Sequence, residues 1–226
     1  MREVLLPYNP RHAFMPFHNR RQRWACLVAH RRAGKTVAAV NDIIRAAITY
    51  QGQRGLFGYV APYRSQAKAV AWQYFQEFAA PITETKNEQE LTLTLMNGSQ
   101  IRLFGADNAD AMRGLGFDGL YLDEYGDFRP SVFGNVLRPS LSDKQGWCVF
   151  GGHAQREKRL LGNLRNGPAP AKRLVLATPA RLYFWFAPTG RTCCRPGAVG
   201  RGSILARVRV QFRGSHPRRV LWQRDA

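Results

Sequence analysis

Little in this chain points to a metal or disulfide framework. It has only four cysteines in 226 residues, and two of them, Cys193 and Cys194, are adjacent, which is not the C-x-x-C spacing of zinc sites. Cys26 and Cys148 lie in apolar, strand-like runs and read as buried thiols. The five histidines are scattered and form no H-x-x-x-H pair. Long apolar runs are missing as well: stretches such as W24-A-C-L-V-A29 fall far short of a membrane span. The opening M-R-E-V-L-L-P-Y-N-P10 holds no sustained apolar core before a cleavage site, so no signal peptide is expected and a cytoplasmic location is the default. A mean hydropathy of −0.36 with 45% apolar residues fits a soluble chain with a core of its own.

Acidic residues are the other shortage. Against 34 Lys+Arg stand 15 Asp+Glu, a formal net charge of +19, which implies an anionic polymer as partner, most simply nucleic acid. The shortage is uneven. Residues 1–150 hold 18 basic and 13 acidic side chains, net +5, whereas residues 151–226 hold 16 basic side chains and only Glu157 and Asp225, net +14. The chain divides into a mildly basic domain, 1–150, and a strongly basic tail, 151–226.

One glycine is also missing. A29-H-R-R-A-G-K-T36 matches the phosphate-loop pattern G-x-x-x-x-G-K-[ST] except at Ala29. Its context fits that pattern. The unalternating run 24–29 predicts a strand buried on both faces, and Val37, Val40, Ile43, Ile44, Ala47 and Ile48 recur at helical spacing. Further along, 55–61 reads as a strand and 65–78 as a helix. Leu91, Leu93 and Leu95 alternate with Thr before Asn97-Gly98, a type I′ turn signal, and Ile101 and Leu103 alternate after it, which predicts an inserted hairpin. G119-L-Y-L-D-E124 reads as a buried strand ending in two acids, 129–138 as a short helix and 147–150 as a last core strand. The expected class is α/β, a P-loop NTPase with a mainly parallel central sheet flanked by helices, and an irregular C-terminal third.

Between strand and helix, backbone N–H groups and the positive helix end face a bound phosphate. On this reading Gly34 allows close approach, Lys35 reaches the β/γ-phosphates and Thr36 ligates Mg²⁺. Asp123 holds the Mg²⁺ through water, and Glu124 orients or deprotonates the attacking water. A basic turn and a strand ending in solvated acids are the bland readings of each motif alone; together, in order, they favour nucleotide binding. Arg31 and Arg32 are either solvated charges or γ-phosphate contacts.

At these residues the region 25–150 resembles the ATPase domain of tailed-phage terminase large subunits, the motors that package viral DNA. H30-R-R-A-G-K-T36, Y59-V-A-P-Y-R-S-Q-A-K68, F104-G-A-D-N-A-D-A-M-R-G-L-G116, D118-G-L-Y-L-D-E-Y-G-D-F128 and R138-P-S-L-S-D-K-Q-G-W147 carry the likeness. Terminases commonly have paired arginines in the loop and lack its first glycine. The resemblance implies ATP binding by His30, Arg31, Arg32, Ala33, Gly34, Lys35 and Thr36. It implies Mg²⁺ at Thr36 and Asp123, catalysis by Glu124, Lys35 and Arg32, and adenine contact near P7-Y-N-P10. It also implies double-stranded DNA, a terminase small subunit, a portal protein and other copies of the chain as partners. A helicase-like nucleic-acid ATPase and a non-enzymatic basic DNA-binding protein stay open as alternatives.

The likeness ends after residue 150. Where terminases continue into a Gly-Thr-Pro-Lys-Gly type segment that couples hydrolysis to DNA movement, this chain reads G151-G-H-A-Q-R-E-K-R-L-L-G162. Codons CAC GCC CAA AGG GAA AAA CGC CTT CTG G encode H-A-Q-R-E-K-R-L-L, and one base further on they read T-P-K-G-K-N-A-F-W. A frameshift near residues 150–153 is the expectation, with a disordered basic tail as the rival. Two acids do not make the metal site of a terminase nuclease, so no cutting activity is expected of this chain.

Overall fold

Strands β2 (Trp24–Ala29), β3 (Leu56–Ala61), β7 (Gly119–Leu122) and β8 (Trp147–His153) are short apolar runs, as befits strands covered on both faces. The computed structural model describes residues 3–153, 173–177, 182–186 and 209–212, with side chains over 5–152. All four strands run parallel in the order β3-β7-β8-β2. β4 (Thr83–Asn87), β5 (Thr92–Leu95) and β6 (Gln100–Gly105) extend the sheet beyond β3, with β6 parallel to β3, β5 antiparallel to β6 and β4 antiparallel to β5. Beyond β2 lie β10 (Leu182–Phe186), antiparallel to β2, and β9 (Arg173–Ala177), antiparallel to β10. β1 (Glu3–Leu6) pairs with β11 (Arg209–Phe212) in a separate ribbon.

Alternate residues of each strand enter two different cores. Ala25, Leu27, Ala29, Phe57, Tyr59, Tyr121 and Val149 join one cluster. Cys26, Val28, Val60, Leu120, Leu122, Cys148 and Phe150 join the other. The first is closed by helix α2 (Lys35–Ile48) and by a helical run from α3 (Arg64–Ala67) to α4 (Gln73–Ala79). α1 (Met15–His18) adds Phe17 to the same side. The second is closed by the Ala106–Met112 segment and by a run from α5 (Pro130–Val132) to α6 (Arg138–Ser142). The expected α/β sandwich is therefore present, and Cys26 and Cys148 are buried free thiols.

Three local features depart from the sequence reading. The helix expected to stop at Arg138 continues to Ser142 through a widened π turn at Phe133–Leu137. That turn accommodates Pro139, which has no N–H to donate and whose ring clashes with the i−4 carbonyl in a regular helix. The hairpin turn is not type I′, because Gly98, at φ 77°, takes positive φ and Asn97 does not. Gly98 N–H bonds Leu95 O at 2.7 Å and Leu95 N–H bonds Ser99 O at 2.8 Å, a turn followed by a glycine bulge. Asn97 is used elsewhere: its Nδ2 donates to Ala47 O at 2.8 Å and Ile48 O at 3.1 Å, covering carbonyls at the end of α2. Finally, β8 runs three residues past Phe150, pairing with β2 as far as Ala29 opposite His153.

Candidate active site

Ala29 is the last residue of β2, in extended backbone and fully buried. Nothing at that position calls for a glycine. The left-handed conformations fall later, at Arg32 (φ 62°) and at Gly34 (φ 95°, ψ 19°), from which α2 departs. No side chain caps that end of α2. Its first backbone N–H groups are therefore left to face an anion at the positive end of a 14-residue helix.

Because β2 and β7 are parallel with only β8 between them, their C-terminal ends lie on one edge of the sheet. Ligands of open α/β sheets bind along that edge. Asp123 and Glu124 follow β7 directly, and Lys35 opens α2, so residues 89 apart in sequence meet: Lys35 Nζ lies 2.8 Å from Glu124 Oε1 and 3.7 Å from Asp123 Oδ1. Lys35 is only 6% exposed, so the ammonium is held by the two carboxylates rather than by water. Glu124 adopts φ 50°, ψ 43°, a left-handed backbone that costs a non-glycine residue on the order of 1–2 kcal/mol. The strain sits at the residue that aims its carboxylate at the loop.

Asp123 is held from below. The Tyr59 hydroxyl, from the middle of β3, donates to Asp123 Oδ2 at 2.7 Å, and Asp123 N–H bonds Val60 O at 2.7 Å. Burial, with Asp123 adding to it, pushes the Tyr59 phenol well above its ordinary range, so it stays a donor. Asp123 Oδ1 is buried and makes no hydrogen bond among the described residues.

The remaining sequence-predicted residues are close in the chain but not all in the same state. Ala33 is buried, Gly34 and Thr36 are half-buried, and His30, Arg31 and Arg32 are exposed. His30 Nδ1 donates to Arg31 O at 2.6 Å. Neither Arg31 nor Arg32 forms an ion pair with a described acid. Tyr8, in the segment the resemblance links to adenine, is instead a core residue: it is 6% exposed, its hydroxyl meets His18 Nε2 at 3.0 Å and its ring packs edge-on to Phe78. Arg11 was not foreseen. Its Nη1 donates to Ala33 O, inside the loop, at 2.8 Å. Tyr59 was not foreseen either, since an aromatic in a buried strand reads as core.

No protein-family model matches the chain. The terminase large subunit of Thermus phage G20c is 26% identical to it over 168 residues, covering 65% of this chain and 34% of that protein, and the one from Thermus virus P23-45 gives the same figures. Over that region the chain is similar to phage terminase large subunits. It spans about a third of the length of these curated relatives. Among solved structures, the large terminase ATPase domain of Thermus phage P74-26 has the same fold, with a TM-score of 0.54 at 23% identity over 64% of this chain and 65% of that one. The HK97 large terminase gives 0.51 at 16% identity over 61% of this chain and 30% of that one.

Two features of the site bear on a metal. No group of three or more His, Cys, Asp or Glu is assembled among the described residues. Asp123 Oδ1, which accepts no hydrogen bond and meets only the Lys35 ammonium at 3.7 Å, fits Mg²⁺, which binds through one or two protein oxygens together with phosphate and water.

The segment before β2 is clamped to α2 of the terminase-like domain by a buried ion cluster. Asp42 accepts from Arg20 at 2.6 Å, Arg45 at 2.9 Å and His18 Nδ1 at 3.3 Å. Burial alone would raise the Asp42 carboxyl, but Arg20 above all, with His18 and Arg45, holds it far below its ordinary value. Burial lowers His18 in spite of Asp42, and the ring bridges the two sides of the cluster, Nδ1 facing the Asp42 carboxylate and Nε2 the Tyr8 hydroxyl. Among the described residues, no helix is long and apolar enough to cross a membrane.

Proposed function

We propose that this chain carries the nucleotide-hydrolysing part of a DNA-packaging motor of the terminase type, with ATP as substrate. The observation that carries the reading is the Lys35–Glu124 contact at 2.8 Å with Asp123 Oδ1, which accepts no hydrogen bond, 3.7 Å from the same ammonium. A lysine and two carboxylates, one to orient the nucleophile and one to receive a cation when Lys35 turns to phosphate, converge on the uncapped start of α2.

In this mechanism the N–H groups of Gly34, Lys35 and Thr36 cradle the phosphates, and Lys35 exchanges Glu124 for β/γ-phosphate oxygens. That exchange releases the Glu124 carboxylate to orient or deprotonate the attacking water. Thr36 and Asp123 would hold Mg²⁺, which supplies charge neutralisation at the transferring phosphoryl group. Tyr59 keeps Asp123 in place. The exposed Arg32, its backbone left-handed, is available to the γ-phosphate once ATP is bound, and His30, Arg31 and Ala33 complete the loop.

Double-stranded DNA is the proposed polymer partner, attracted by the net +14 of residues 151–226. A small subunit, a portal and further copies of the chain are proposed from the terminase likeness, as is the host cytoplasm as location. A helicase-like ATPase shares the two motifs, but the terminase relatives favour packaging. ATP binding and turnover test the proposal. Lys35→Ala is expected to abolish binding, and nucleotide affinity unchanged by Lys35→Ala would sink the ATP reading.

A further inference from the structure

We infer that Arg11 is a positioning residue for the phosphate-binding loop, acting through a single backbone carbonyl. The inference rests on the ATP reading of the site and extends it to a residue outside both motifs.

Arg11 Nη1 donates to Ala33 O at 2.8 Å. The Ala33 carbonyl and the Gly34 N–H belong to one planar trans peptide and therefore point in opposite directions. A guanidinium fastened to the carbonyl from outside the loop holds the Gly34 N–H toward the inside, where a phosphate is bound. The peptide needs such a restraint because Gly34, at φ 95°, is the most conformationally free residue of the loop. Arg11 lies close along that outer side: a Cβ placed on Gly34 would be 3.6 Å from Arg11 Nη1 and 3.7 Å from its guanidinium carbon.

The arginine is itself held. Arg11 O accepts from Phe14 N–H at 2.9 Å, and Phe14 is buried in the core beneath α2. On either side of Arg11, Tyr8 and His18 bond each other, and His18 and Arg20 reach Asp42 on α2. Arg20 also lies over the rings of Phe17, 4.5 Å from its centroid, and Trp147, at 4.9 Å. The segment 8–20 is thus a strap closed on itself by Tyr8 and His18, tied to α2 at Asp42 by His18 and Arg20, and tied to the loop before α2 by Arg11.

The test is a nucleotide-binding titration on the full chain with a fluorescent ATP analogue, comparing Arg11→Ala, Arg11→Gln and Arg11→Lys, with Lys35→Ala as reference and thermal melting of each variant alongside. Arg11→Ala is expected to weaken binding roughly tenfold with an unchanged melting temperature, since a hydrogen bond to a charged ligand loses its alignment. Gln and Lys both keep a donor for Ala33 O and are expected to restore most of the affinity. Restoration by Lys but not by Gln would mean that charge rather than the carbonyl contact matters, and would overturn the inference. Binding that Lys35→Ala abolishes and Arg11→Ala leaves intact would overturn it alone. A wild-type chain that binds no nucleotide would overturn the ATP reading and this inference together.

Discussion

Lys35 and Glu124 form a part-buried ion pair at 2.8 Å across the edge of the sheet. In the proposed mechanism the lysine that reaches phosphate is occupied, before ATP binds, by the carboxylate that orients water. Breaking the pair is then a cost that ATP binding has to offset. Glu124→Gln keeps the shape, removes the charge and weakens the hold on Lys35. The expected result is ATP affinity raised several-fold while turnover falls at least about a hundredfold, the scale of losing a general base. Equilibrium binding and single-turnover hydrolysis read the two separately. A Gln variant that hydrolyses ATP at the wild-type rate would remove Glu124 from the mechanism.

The loop's missing glycine has its own consequence. Ala29 is extended and fully buried, so Ala29→Gly is expected to bring no gain in nucleotide affinity and to lower stability by about 0.5–1 kcal/mol. Gly34→Ala is the contrasting case. The added Cβ would have room, its nearest neighbour lying 3.6 Å away, but the backbone at φ 95° is strained for any residue with a Cβ by roughly 1–2 kcal/mol. Affinity is expected to fall about tenfold or more as the loop relaxes away from that conformation. Paired melting and binding curves distinguish the two variants, and a gain in binding from Ala29→Gly would contradict the geometry.

Much of this site was legible because its motifs announce themselves by period. A buried run followed by helical spacing located Lys35 and Thr36 on β2–α2, and a buried run ending in acids located Asp123 and Glu124. What was hidden depends on contacts between residues with no shared period. Arg11 reaches Ala33, Tyr8 reaches His18 and His18 reaches Asp42 through side chains that in sequence look like a polar leader. Asn97 was read by its turn preference, and tertiary structure gave it to the end of α2 instead. Most of the basic tail, Cys193 and Cys194 among it, lies outside the described residues, and its described pieces β9, β10 and β11 are strands paired with β10, β2 and β1, which the sequence reading of an irregular last third did not anticipate.

The Asp42 cluster predicts how stability changes with pH. Both His18 and Asp42 have folded values below their ordinary ones, 6.5 and 3.8. For such groups the unfolded chain takes up protons first, so their stabilisation is present above the ordinary value and is lost progressively as pH falls from it to the lower folded value. Stability is expected to decline in two steps, one beginning near pH 6.5 from His18 and a second below about pH 4 from Asp42. His18→Gln should erase the first step and leave the second. Asp42→Asn removes the buried partner of two half-buried arginines and should cost about 3 kcal/mol at neutral pH. Melting temperature against pH for the three chains checks this, and a flat profile between pH 7 and 5 would contradict the lowering of His18.

The last prediction concerns the gene. β8 remains in register with β2 to His153, the residue at which the out-of-frame reading begins. Read one base further on, the codons proposed above place Thr-Pro-Lys-Gly directly after Gly152. That is the C-terminal end of the strand lying between β2 and β7, beside both Lys35 and the two acids. The coupling segment that the terminase resemblance implies would sit there, one strand away from the proposed Lys35–Glu124 exchange. Resequencing the locus is expected to show that deleting a single base at codon 153 opens a terminase-like frame downstream, poorer in arginine and richer in acids than residues 154–226. The chain made from the corrected frame should couple ATP turnover to DNA, with DNA raising the hydrolysis rate, whereas the present chain should bind DNA only through salt-sensitive phosphate contacts. If no single-base shift yields such a frame, the basic tail is native, and its affinity for DNA is the property to explain.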